Sequence, residues 1–149
     1  MKKILTVILA VSLLALSLLT MTACGKVEGK SYVFHHAKCT WDDDVTEGQK
    51  EDFVTIMKVL TGDDSITTKN VLDKWEEILE KNNRDRVYTF LSDGKIEGTF
   101  TGKWRQEKDG DLEVTLLGQE MDVELEMGRL YHKVRDYDYI DAVLVFKKK

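Results

Sequence analysis

The residues best suited to chemistry gather near the front of the chain. His35, His36 and Cys39 are followed closely by Asp42, Asp43 and Asp44, and imidazole, thiolate and carboxylate are the groups that hold divalent metal ions. The spacing argues against a shared ion. Successive side chains of a strand take opposite faces, so His35 and His36 point apart, and at ~3.3 Å per residue His35 lies ~13 Å from Cys39. A calcium loop is no better supported. With Asp43 in the first position Gly48 falls correctly in the sixth, but Val54 stands in the twelfth, where a bidentate glutamate is needed. The aspartates suit a solvated turn that leads into a helix N-terminus, where negative charge is favourable. No metal site and no cofactor are expected. Nucleophilic catalysis has no support either, because there is no Gly-x-Ser-x-Gly elbow. With 27 acidic residues, carboxylate pairs arise by chance and no spacing selects one, so the chain is expected not to be an enzyme. The segment Tyr131-His132-Lys133-Val134-Arg135-Asp136-Tyr137-Asp138-Tyr139 is the richest in aromatic and polar groups. It is the candidate rim for a ligand, and the individual ligand-binding residues stay unassigned.

A second reactive position, Cys24, closes a hydrophobic run. Lys2 and Lys3 precede sixteen residues, Ile4 to Leu19, interrupted only by Thr6, Ser12 and Ser17. This charged start, apolar middle and small-residue end is the layout of a secretory signal. At ~1.5 Å per residue the run covers about 24 Å, short of the ~30 Å hydrocarbon core of a bilayer. Met21-Thr22-Ala23-Cys24 resembles the bacterial lipobox, with Met21 where leucine is usual. The resemblance implies cleavage before Cys24, acylation of that cysteine by palmitate-class chains, and a lipid anchor at the outer face of the cell membrane. A lipidated Cys24 leaves Cys39 without a partner, since the chain has only two cysteines. Cleavage by the ordinary signal peptidase would instead leave both thiols able to pair in an oxidising compartment.

The expected organisation is a signal peptide over residues 1–23, a lipid-anchored tether over 24–30 and one domain over 31–149. Removal of residues 1–23 takes Lys2 and Lys3, so Lys plus Arg falls from 22 to 20 against 27 acids and the formal charge moves from −5 to −7. So acidic a chain is a poor partner for nucleic acid, which rewards clustered Lys and Arg.

The elements follow from periodicity. Ser31 to Trp41 alternates as a strand. Thr46 and Gln49 can form a capping box ahead of a helix whose Phe53, Ile56, Met57 and Leu60 share one stripe. A second helix starts near Thr67 or Thr68, carries Val71, Leu72, Trp75, Ile78 and Leu79 on one side, and ends at Asn82-Asn83. From Arg86 the period is two. Val87 to Leu91 leads into a Ser92-Asp93-Gly94-Lys95 hairpin turn. Ile96 to Gln106 forms a long strand, with Gly98 and Gly102 as bends or bulges. Lys108 to Asp111 turns into Leu112 to Leu116. Met121, Val123, Leu125 and Met127 then alternate with acids, Gly128-Arg129 turns into Leu130 to Val134, Arg135 to Asp141 loop, and Ala142 to Phe146 closes. Short turns between successive strands make a mainly β, antiparallel up-and-down meander, a barrel or half-barrel. Two amphipathic helices are inserted after its first strand.

Gly29-Lys30-Ser31-Tyr32 and the meander Tyr88 to Trp104 resemble the small lipocalin-like lipoproteins of Gram-positive bacteria. The resemblance implies a calyx-like fold and a cell-surface address, and no catalytic residue. Two functions fit. Leu112, Val114, Leu116, Met121, Val123, Leu125, Met127, Val143 and Val145 could line a cavity for a small apolar or amphipathic ligand. Alternatively they fill the interior, and the domain acts through its outer surface as a binding or accessory module for another envelope protein. Their bulk favours filling.

Overall fold

The computed structural model describes residues 26–107, 111–134 and 138–149; Cys24 and the signal-like run lie outside them. Strand β1 (Ser31–Trp41) is the longest in the barrel. It pairs antiparallel with β9 (Ile140–Lys148) along nearly its whole length, but with β2 (Val87–Phe90) only through Ser31, Tyr32 and Val33. The rest of that edge faces the two helices, α1 (Glu47–Thr61) and α2 (Val71–Asn83). Glu76 of α2 accepts the Cys39 amide at 2.6 Å, and Glu80 accepts the Ala37 amide at 3.4 Å. Two helical carboxylates thus supply acceptors where no strand is available, which meets the obligation of the backbone donors.

The expected helices are present. Thr46 and Gln49 form the capping box, with Gln49 Oε1 accepting from the Thr46 amide at 2.8 Å, a cap worth about 1 kcal/mol. Gly62, at φ 70°, ends α1 by donating to Lys58 O at 2.8 Å. Asp42, Asp43 and Asp44 form the turn before this helix, with Asp42 Oδ1 accepting the Asp44 amide. Phe53 joins the layers: its ring meets Trp41, Trp75 and Tyr139 edge-on at centroid distances of 6.0, 6.0 and 6.1 Å.

The remaining strands are β3 (Lys95–Gly98), β4 (Gly102–Gln106), β5 (Leu112–Leu116), β6 (Gln119–Met121), β7 (Val123–Glu126) and β8 (Arg129–Val134). They form a nine-stranded antiparallel sheet in the order β6-β5-β4-β3-β2-β1-β9-β8-β7, a nearly closed, lipocalin-like barrel with minor helix. The single long strand expected over Ile96 to Gln106 is two strands. Gly98 takes φ 138°, and a Cβ on Gly98 or Gly102 would run into the carbonyl oxygen of Val87 or Thr115. Only glycine allows backbones so close, so the chain turns a corner there. The alternating run from Met121 also divides. Gln119 to Met121 pair with β5 and Val123 to Glu126 with β8. The two ends of the sheet are therefore consecutive in the chain, separated by Asp122 alone.

Cross-strand register defines the inner face. Leu112, Val114, Leu116, Met121, Val123 and Leu125 belong to it, as alternation predicts. Three expected members do not. Met127 sits in a turn at φ 48° and is 95% exposed. Val143 and Val145 lie on the face opposite Ala142, Leu144 and Phe146, because it is the even-numbered residues of β9 that join the core. The expected loop over Arg135 to Asp141 also ends sooner, since β9 begins at Ile140. Residues 135–137 lie outside the description. Within the segment 24–30, Val27 is fully buried and the Gly29 amide donates to Phe90 O at 2.7 Å, so among the described residues the chain joins the core from Val27.

Aromatic packing fills part of the barrel. Tyr32 meets Phe90 at 5.7 Å, Phe90 meets Trp104 at 5.7 Å, and Phe146 meets both Phe34 and Tyr88 at 5.8 and 5.0 Å. Replacing Glu76→Ala should leave the Cys39 amide without its acceptor, at a cost of about 1–3 kcal/mol for a buried unpaired donor. Urea unfolding should show that loss, and hydrogen exchange should show faster exchange of the Cys39 amide. Glu80→Ala, at a longer and more exposed contact, should cost less.

Candidate functional site

Where the closing segment changes partner, the barrel holds a cleft of about 1130 Å³, open on one side. Leu112, Met121, Val123, Leu125 and Val134 supply its apolar wall. Arg86, Gln119 and His132 supply polar groups, and Asp111, Glu120, Asp122, Glu124, Glu126 and Lys133 complete the lining. Lys133 Nζ binds Glu124 Oε1 at 2.6 Å, so part of that acidic lining is neutralised locally.

Arg86 is positioned through its backbone. Its amide donates to Asn83 O at 2.9 Å where α2 ends, and its carbonyl accepts the Phe34 amide at 2.9 Å. The guanidinium stacks on Phe100, 4.9 Å from the ring centroid, a cation–π contact, and among the described residues it has no carboxylate partner. Two residues on, the Tyr88 hydroxyl is buried beside Arg86: burial raises its pKa, opposed by the Arg86 charge and by a hydrogen bond from the Arg86 side chain.

His132 lies inward on β8 between Leu130 and Val134, opposite Val123 and Leu144. It is 7% exposed and its Nδ1 has no hydrogen-bond partner. Burial first, and then the Arg86 charge, push its pKa down to about 4, while Asp122 acts in the opposite sense. At neutral pH the imidazole is uncharged. Arg86 and His132 thus place a cation without a carboxylate partner among the described residues and one unpaired buried nitrogen in the lining of the same cleft. The sequence carried a signal for each. Arg86, Tyr88 and Phe90 share one face of an alternating stretch, and His132 interrupts an apolar row. His132 falls within the candidate rim, whereas Arg86 and Tyr88 fall outside every candidate site.

The front cluster separates. A register shift between Phe34 and His36 removes the expected opposition of the two histidines and brings their rings edge to face at 4.9 Å, whereas Cys39 points into the core. Among the described residues no group of three potential metal ligands occurs. Cys39 is a free thiol, its pKa pushed up to about 12 by burial and then by the Glu76 charge, which makes it a packing residue with little thiolate character. Of the candidate rim, Tyr131 to Val134 lie on β8, and Tyr139 packs on Phe53.

Fold and cleft together define a small lipocalin-like barrel with an amphipathic interior. The chain matches no family model, no curated protein and no solved structure.

The buried histidine sets an acid limit on stability. An unfolded histidine titrates near 6.5 and His132 near 4, so between these values the unfolded state binds the extra proton. Stability is then lost as pH falls through this window, by up to about 3 kcal/mol. Urea midpoints measured from pH 7 to 4 should show a smaller decline for His132→Leu than for the parent chain; equal declines would remove His132 as the cause.

Proposed function

We propose that the chain is a non-catalytic, lipid-anchored binding domain, held at the outer face of the cell membrane through Cys24, whose barrel cleft takes a small amphipathic ligand. The observation that carries this reading is the open cleft of about 1130 Å³, apolar on one wall and lined elsewhere by charged and polar groups. A pocket of about that size suits a small molecule, and its apolar wall faced by charged and polar residues suits an amphipathic one. The bulk of the inward side chains had favoured a filled interior and action through the outer surface. Aromatic packing does fill one part of the barrel, but the β5–β8 region leaves room. Support for the address comes from the sequence: the signal-like run, the lipobox-like Met21 to Cys24, and the resemblance to small lipocalin-like lipoproteins of Gram-positive bacteria.

Two measurements test the two halves of the proposal. The anionic amphiphilic fluorophore 1-anilinonaphthalene-8-sulfonate should bind the folded protein with one-to-one stoichiometry, and Leu125→Trp, which fills the cleft, should weaken it about tenfold or more. Failure of the folded parent to bind would remove the ligand reading. Intact mass of the protein from its producing cells should show residues 1–23 absent and acyl chains added, and Cys24→Ala should appear in the soluble fraction. A Cys24→Ala protein that stays with the membrane would refute the anchor.

A further inference from the structure

Within the cleft the polar groups are arranged unequally. The side chains of Glu120, Glu124 and Glu126 alternate with the inward Met121, Val123 and Leu125, so the acids of the closing segment belong to its outer side. The interior instead holds Arg86, half-buried, stacked on Phe100 and without a carboxylate partner among the described residues. Beside it His132, 7% exposed, lines the same cleft with its Nδ1 lacking a hydrogen-bond partner, while the buried Tyr88 hydroxyl accepts from the Arg86 side chain. An unpaired buried polar atom is costly, on the order of 1–3 kcal/mol, and folded proteins rarely keep one. Such an atom beside a guanidinium without a carboxylate describes a site that is complete only when something accepts from both.

Building on the cleft reading above, we infer that the ligand is an amphiphile with a single anionic head, a carboxylate in the first instance, which Arg86 and His132 hold in the cleft while its apolar tail lies along Leu112, Met121, Val123 and Leu125. A guanidinium presents a planar fork that matches a carboxylate in two parallel hydrogen bonds. Neutral His132 can donate a third through Nδ1–H. Asp122, whose charge also reaches His132, and the acidic residues at the cleft margin disfavour a head that carries two charges. A cationic amphiphile would suit the margin but would leave Arg86 and the buried His132 nitrogen as they are.

The test is a calorimetric series of equal-length probes below their micellar concentrations: dodecanoate, dodecanol and dodecyltrimethylammonium. Dodecanoate should bind one to one and about tenfold or more tighter than dodecanol, with the ammonium weakest. Arg86→Gln should remove most of the preference for dodecanoate and leave dodecanol within about twofold. His132→Leu should weaken dodecanoate less than Arg86→Gln does. It replaces a buried imidazole whose Nδ1 has no partner in the free protein by an apolar side chain, so it should fold as the parent does at neutral pH, which keeps the test valid if Arg86→Gln proves unstable. Equal binding of dodecanoate and dodecanol, or preference for the ammonium, would overturn the anionic head and leave the cleft reading standing. Binding of none of the three would overturn both.

Discussion

The hydrogen-bonding demand of one strand edge organises this molecule. β1 runs eleven residues, but β2 pairs with three of them. A donor edge left open in a buried place costs more than a missing contact, because water cannot repair it. The chain solves the problem with α2, whose Glu76 and Glu80 reach the Cys39 and Ala37 amides. The position of the helix follows from that contact, and other features follow from the helix. Phe53 of α1 packs on Trp75 of α2, and the chain leaving Asn83 turns so that the Arg86 carbonyl accepts from Phe34. Through this sequence of obligations an edge requirement on one side of β1 places a cation inside the barrel.

Closure imposes the second constraint. A sheet removes its edges by joining its first and last strands, yet here the two outermost strands are neighbours in sequence. The segment Gln119 to Glu126 serves β5 with one half and β8 with the other. Neither half can satisfy both neighbours, so the wall is incomplete beside Asp122, and the cleft lies there. Aromatic side chains fill the barrel near β1, β2 and β9, away from the seam.

The parts of this arrangement that depend on local pattern were legible in the sequence. β1 was assigned its observed limits from alternation, and the Thr46–Gln49 capping box located α1 because both partners lie within one turn. Six of nine expected inward residues followed from period two. Failures arose where distant chain segments decide. Gly98 and Gly102 announce close backbone approach, but only the Val87 and Thr115 carbonyls show that the approach is a corner. Val143 and Val145 were placed inward although Ala142, Leu144 and Phe146 hold that face, since a run of five apolar residues gives no phase of its own. The bulge at Phe34 to His36 likewise has no local marker. His132 lay within the candidate rim but was not marked as inward, and Arg86 was not marked at all; both follow from extending the alternation through them, where a polar residue interrupts an apolar row.

The burial of Val27 has a mechanical meaning. It leaves only Gly25 and Lys26 between Cys24 and the first residue packed into the core, and at ~3.5 Å per residue that length of chain reaches roughly 10 Å. With Cys24 as the proposed anchor, the barrel would be held against the lipid headgroups instead of swinging on a long leash. That distance is comparable to the Debye length of ~8 Å at physiological ionic strength. A domain of formal charge −7 held so close to an anionic surface would be turned by it, with the basic Lys147 to Lys149 end drawn toward the headgroups and the acidic faces turned away.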